Sequence, residues 1–207
     1  MAKAPFCEEM PSIVEDATRI VLNARAIPLT PEMFFELCAD NSDLFLELTA
    51  QKRIIIMSPA GATSDSRNVD LSTQLHSWAS KDKTGKTFGP TAGFRLPKGG
   101  VRSPDVSWIL RSRWDRLSED EQERFPLICP DFVAELRSRT NTLKELKAKM
   151  VEYIENGARL GWLIDPYEKK VYVYRPGAAP ECLDNPGTIG GEPVLNGFVL
   201  DLSQIFG

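Results

Sequence analysis

Three consecutive stretches decide the fold: Asp131-Phe-Val-Ala-Glu-Leu-Arg137, Asn141-Thr-Leu-Lys-Glu-Leu-Lys-Ala-Lys-Met-Val-Glu-Tyr-Ile-Glu-Asn156 and Leu160-Gly-Trp-Leu-Ile164. In the first, alternation with a period of two predicts a strand with Phe132, Ala134 and Leu136 on one face and Glu135 with Arg137 on the other. In the second, Leu143, Leu146, Met150 and Ile154 recur at helical spacing, Asn141 is placed to cap the helix and Gly157 to end it. The third reads as a buried strand running into an Asp165-Pro166-Tyr167 turn. A strand, a helix and a strand in succession predict a domain that mixes helices with a sheet.

Upstream, Leu44 to Thr49 alternates again, with Leu44, Leu46 and Leu48 on one side and Phe45, Glu47 and Thr49 on the other. Arg53 to Met57 is largely β-branched, so a hairpin turning at Ala50-Gln51 follows. Thr30-Pro31-Glu32 opens a short helix with a threonine cap and a proline in its first turn. Leu71, Leu75, Trp78 and Ala79 mark an amphipathic helix from Ser66 to Ser80. Further strands are expected at Lys86–Phe88, Gly93–Leu96, Asp105–Leu110, Lys170–Tyr174 and Phe198–Leu200, with residues 176–193 as loop. Ile13, Val14, Ala17, Ile20 and Val21 suggest an N-terminal helical appendage over 1–27, leaving 28–207 as the main domain. The expected fold class is α/β (α+β), a mixed central sheet flanked by helices.

Three carboxylates fall inside or at the start of apolar strand segments, where a charge needs a partner: Glu47, Asp105 and Glu135. Such a set can hold a hard cation such as Mg²⁺, which takes a phosphate oxygen as a further ligand and suits phosphodiester hydrolysis. The net charge of −4 and pI near 5.2 weigh against a dedicated nucleic-acid binder. The charge is uneven, however. Residues 1–50 carry nine acids against three bases, whereas Arg95–Arg116 carries six bases against two acids and Arg137–Lys149 five against one. Positive charge therefore gathers around the segments that hold Asp105 and Glu135. Four scattered cysteines without a CxxC pair argue against a zinc site or a disulfide framework and for a cytoplasmic protein. No stretch is apolar enough to cross a bilayer. A lone histidine, His76, and no GxSxG speak against serine-hydrolase chemistry. Arg111-Ser-Arg-Trp-Asp-Arg116 could contact a nucleic-acid strand, but fits a helix start with a buried tryptophan better.

Pro104-Asp105, then Glu135-Leu136-Arg137 thirty residues on, resembles the Pro-Asp…(Asp/Glu)-x-Lys motif of the restriction-endonuclease-like superfamily. The flanks sharpen the resemblance. The run Asp131 to Pro166, the hairpin Leu46–Leu48 with Ile54–Pro59, the stretch Gly93–Leu96 with Arg102–Asp105, and the ending Leu195–Phe198 with Ile205-Phe206 are similar to one bacterial restriction-endonuclease family, long filed as a domain of unknown function. The resemblance covers about residues 28–207. It implies a restriction-endonuclease-like fold, with a Mg²⁺ or Mn²⁺ ion held by Asp105, Glu135 and the backbone carbonyl of Leu136, and Glu47 as an additional acid. Two positions depart from the pattern. The lysine after the acid is Arg137, too basic to serve as a general base, and the helix after the hairpin has Asn68 near the place of the usual histidine. Lys149, at the edge of the apolar stripe of its helix, is placed to supply the missing lysine.

The sequence thus suggests a metal-dependent endonuclease acting on nucleic acid, DNA first, with Arg137 and Lys149 steadying the phosphate. The rival reading is a nuclease-fold protein that binds nucleic acid or a protein partner without cutting. Arg137 could equally form an ion pair with Glu135 or Glu47. A homodimer is expected from the exposed edges of a mixed sheet.

Overall fold

The computed structural model of the protein describes residues 19–207. In chain order its elements are β1 (Arg19–Asn23), α1 (Pro31–Asp40), β2 (Phe45–Leu48), β3 (Arg53–Met57), α2 (Ala62–Asp82), β4 (Gly85–Phe88), β5 (Phe94–Arg95), β6 (Val101–Arg102), β7 (Val106–Leu110), α3 (Arg111–Trp114), α4 (Glu119–Glu123), β8 (Phe132–Leu136), α5 (Leu143–Glu155), β9 (Leu160–Asp165), β10 (Lys170–Tyr174), β11 (Glu181–Asp184), β12 (Thr188–Gly190), β13 (Val199–Asp201) and α6 (Ser203–Phe206). The main sheet has six strands in the order β11-β10-β9-β8-β7-β4. Its one parallel pair is β8 and β9, joined by α5; the other pairs are antiparallel. A second sheet, β1-β3-β2-β6-β5, carries the hairpin, and β12 pairs with β13.

Alternation sorts the main sheet into two packed faces. Phe132, Ala134 and Leu136 of β8 join Trp162 and Ile164 of β9 beneath Leu71, Leu75 and Ala79 of α2. On the opposite face Val133 and Leu163 pack against Leu146, Met150 and Tyr153 of α5. Here Gly161 matters: a Cβ on it would lie 2.4 Å from the Met150 methyl, so a larger residue would make that side chain move aside where α5 packs on β9. The smaller sheet buries Leu48, Ile54 and Val101 against Phe34 of α1. Its other face turns Glu47 away from that core.

Four expectations need correction. Within 1–27, Arg19–Asn23 is a strand rather than a helix and pairs with β3 along its whole length; residues 1–18 lie outside the described part. A short apolar run such as Ile20-Val21-Leu22 fits either element, and the edge of β3 selects the strand. Thr142, not Asn141, caps α5 by accepting a hydrogen bond from Glu145 N at 3.3 Å. The segment 176–193 is not all loop, because β10 templates β11 and β13 templates β12. Finally, the ion pair with Glu135 or Glu47 left open for Arg137 is replaced by another: Arg137 Nη1 lies 2.7 Å from Asp165 Oδ2. Arg137 follows the end of β8, beside the end of its parallel neighbour β9, and Asp165 is the last residue of that neighbour.

Candidate active site

Four elements bring their charged side chains to the α5 face of the sheet. β8 supplies Glu135, 3 % exposed in the middle of the core. β7 pairs with β8 in a register that matches Val106 with Ala134; continued by one residue, it sets Asp105 across from Glu135, where opposed side chains share a face. Asp105 Oδ2 accepts a hydrogen bond from Leu136 N at 2.7 Å. β2 supplies Glu47, 2 % exposed. Beside it runs β6, which reaches β2 because Gly100 takes φ +89°, at a point where a Cβ would lie 2.7 Å from Leu48 O.

α5 closes the cluster from above with Lys149, Glu152 and Tyr153, which share one helical face at i, i+3 and i+4. Lys149 Nζ lies 2.8 Å from Glu47 Oε1 and 2.8 Å from Glu135 Oε1, and 3.3 Å from Ser103 O. The Tyr153 hydroxyl donates to the same Glu135 oxygen at 3.0 Å. Glu47 is held further by Arg102 Nη1 at 2.9 Å and Ser103 N at 3.0 Å. Arg102 reaches on to Glu152 Oε2 through Nε and Nη2, at 2.9 and 2.5 Å. One connected network thus runs from Glu135 through Lys149, Glu47 and Arg102 to Glu152.

Charge in this corner does not balance. Four carboxylates face two cations. Burial raises Glu135, and although Lys149 pulls it down, Asp105 and Glu47 push it up again, leaving it at about 8. Burial likewise raises Asp105 against the pull of Lys149 and the Leu136 amide. Burial acts on Glu47 in the same direction, but Lys149, Arg102 and the Ser103 amide outweigh it and hold that carboxyl at about 2. Lys149 loses to burial less than it gains from Glu135 and Glu47, so its ammonium is held more firmly than usual. It acts as a fixed cation and not as a base.

Oε2 of Glu135 and Oδ1 of Asp105 take no hydrogen bond or ion pair from any described residue, and neither is a sealed, orphaned atom. Two facing carboxylates with one open oxygen each, in a corner with excess negative charge, fit a hard divalent cation. No ready-made shell of three His, Cys, Asp or Glu side chains is present among the described residues. A third protein ligand would have to be a backbone oxygen, or the cluster would have to rearrange.

Of the residues singled out from sequence, Glu47, Asp105, Glu135 and Lys149 meet in this corner, and Arg137 stands at its rim, bound to Asp165. Arg102, Glu152 and Tyr153 were not singled out. Their signals were present but faint: Arg102 lies three residues before Asp105, and Glu152 and Tyr153 fall one turn after Lys149. His76 belongs elsewhere, sharing hydrogen bonds with Thr87 and Ser80. Trp114 is buried, as a helix-start reading of 111–116 requires.

A mixed α+β domain with acids at the meeting edge of β7 and β8 has the layout of a nuclease fold, and comparison with known proteins agrees. The chain belongs to the Uma2 family, described as putative restriction endonuclease, whose model matches residues 31–203. Among solved structures it is similar to the crystal structure of a putative nuclease belonging to DUF820 from Anabaena variabilis ATCC 29413. That likeness has a TM-score of 0.72 at 22% identity, over 86% of this chain and 98% of the other. No curated protein matches significantly. No helix among the described residues is long and apolar enough to cross a membrane.

Proposed function

We propose that the protein is a divalent-metal-dependent endonuclease that hydrolyses DNA phosphodiester bonds, with Mg²⁺ or Mn²⁺ held by Asp105 and Glu135 and the Leu136 carbonyl as a further donor. The observation that carries this reading is the pair of open oxygens on Asp105 and Glu135, beside the Lys149 ammonium that ties Glu135 to Glu47. When bound, the ion supplies Lewis acidity toward a phosphate oxygen and acidifies water. The chain's own groups set the geometry. Lys149 and Tyr153 fix the Glu135 rotamer from one side, Arg102 and Ser103 lock Glu47, and Lys149 offers positive charge toward a phosphate that gains charge as its ester bond breaks.

The acidic pI and the arginine in the place of the superfamily lysine are the main support for a non-cutting binder. Lys149 weighs against the second, since its Nζ reaches both Glu47 and Glu135 from α5. The test is cleavage of labelled single- and double-stranded DNA with Mg²⁺, Mn²⁺ or EDTA, by the wild type and Glu135→Ala. Cutting that requires the metal and disappears in Glu135→Ala is expected. A folded wild type that cuts neither substrate with either metal would overturn the reading in favour of a non-cutting binder.

A further inference from the structure

Three arginines from two segments converge on one tyrosine beside this corner. The guanidinium carbons of Arg67 (α2), Arg137 (after β8) and Arg139 (two residues further) lie 5.7, 5.8 and 5.2 Å from the centre of the Tyr167 ring in the β9–β10 turn. Like charges do not gather without cause. The ring offsets part of their repulsion, and Asp165, fully buried, pairs with Arg137. Neither Arg67 nor Arg139 pairs with any carboxylate among the described residues. Arg137 Nε, moreover, is a buried donor without an acceptor among the described residues. The cluster is therefore a set of forked donors, held in place, short of anionic partners and two residues along the chain from Glu135.

We propose that Arg67, Arg137, Arg139 and Tyr167 form a docking platform for the backbone phosphates of the DNA strand that enters the acid corner. Planar guanidinium forks match phosphate oxygens in pairs. Tyr167 holds the forks in position rather than stacking on a base, because the arginines already crowd its ring. The surfaces of α2, the β8 exit and the β9–β10 turn thus give the strand a cationic approach to Asp105 and Glu135, although the chain as a whole is acidic. The proposal rests on the nuclease reading for the identity of its ligand, and its test is separable from cleavage.

The test is binding of labelled single- and double-stranded DNA oligonucleotides in EDTA, by fluorescence anisotropy across a salt series, for the wild type, Arg67→Ala/Arg139→Ala, Arg67→Gln/Arg139→Gln and a control at the exposed Arg116, Arg116→Ala. Both double variants are expected to bind ten- to a hundredfold more weakly. Their log affinity against log salt should flatten by about 1.4 on single strands and about 1.8 on duplex, the loss of two phosphate contacts. Arg116→Ala should track the wild type. The glutamine pair keeps side-chain bulk, so it gives the answer if the alanine pair folds poorly. A folded double variant that binds with wild-type affinity and slope, or a wild type that binds neither oligonucleotide, would overturn the platform. Cleavage of the same oligonucleotides with Mg²⁺ reports on the nuclease reading separately. An enzyme that cuts while its double variants bind normally loses the platform alone. A wild type that binds through these arginines but never cuts loses the nuclease alone.

Discussion

Two kinds of acid flank the central strands: Asp131 and Asp165 at the start of β8 and the end of β9, and Asp105 and Glu135 where β7 meets β8. Asp131 and Asp165, at 1 % and 0 % exposure, have both carboxylate oxygens engaged. Asp131 accepts from Leu110 N at 2.9 Å and pairs with Arg113 at 2.9 Å. Asp165 accepts from Tyr167 N and Glu168 N at 3.1 and 3.3 Å and pairs with Arg137 at 2.7 Å. Asp105 and Glu135 are crowded by other acids, Glu135 shares the Lys149 ammonium with Glu47, and each keeps one oxygen without a partner among the described residues. Burial alone therefore does not mark a functional acid. An acid whose partners are complete holds the fold together, and one whose partners fall short is open to a ligand.

That division predicts opposite responses to substitution. Asp165→Ala leaves Arg137 and two turn amides without their acceptor, so a loss on the order of 3–5 kcal/mol is expected, which for a domain of this size lowers the melting temperature by roughly 6–20 °C. Calorimetry checks it. Glu135→Gln should move the other way. At pH 8 and without metal it relieves crowding among Asp105, Glu47 and Glu135, and its melting temperature should equal or exceed the wild type's by a few degrees while cutting is lost. If Glu135→Gln melts as low as Asp165→Ala, the two kinds of acid are not distinct.

Much of this corner was legible in the sequence because its signals are periodic. The alternation over Phe132–Arg137 places Glu135 off the face of Phe132 and Ala134, and the stripe of Leu143, Leu146, Met150 and Ile154 leaves Lys149 on its border. Other features depend on strand neighbours that local pattern does not name. Arg102 lies in the two-residue β6, too short to show any period, and meets Glu47 only because β6 pairs beside Leu48. The partner of Arg137 comes from β9, which approaches in parallel after the whole of α5. β11 is largely exposed and has no apolar alternation, so β10 alone reveals it.

The open acids should also make metal binding depend on pH. Glu135, at about 8 in the metal-free protein, must lose its proton to ligate an ion. Affinity for Mg²⁺ or Mn²⁺, read by titration calorimetry, should rise about tenfold per pH unit up to about 8 and then level off. Stability follows from the same shift. A carboxyl raised on folding contributes fully below its ordinary value near 4.5 and loses that contribution as the pH climbs to about 8. Glu47, lowered to about 2, contributes above 4.5 and loses it as the pH falls toward 2. Added Mg²⁺ should therefore raise the melting temperature more at pH 8 than at pH 6. An equal rise at both would detach Glu135 from the metal.

The smallest effect is expected at Tyr153, whose hydroxyl donates to the Glu135 oxygen that Lys149 also contacts. Tyr153→Phe keeps the ring against Val133 and Leu163 and removes only that donor, costing about 1 kcal/mol of stability. The donor favours the ionised carboxylate, so without it Glu135 holds its proton to a higher pH. The midpoint of the metal-affinity profile should then move upward by a fraction of a pH unit, while affinity at pH 9 stays close to that of the wild type. A purely structural tyrosine would lower stability and leave that midpoint in place. An upward shift would show that the partners left to Glu135 tune how readily it opens to a cation, and by inference why Asp131 and Asp165, fully partnered, do not.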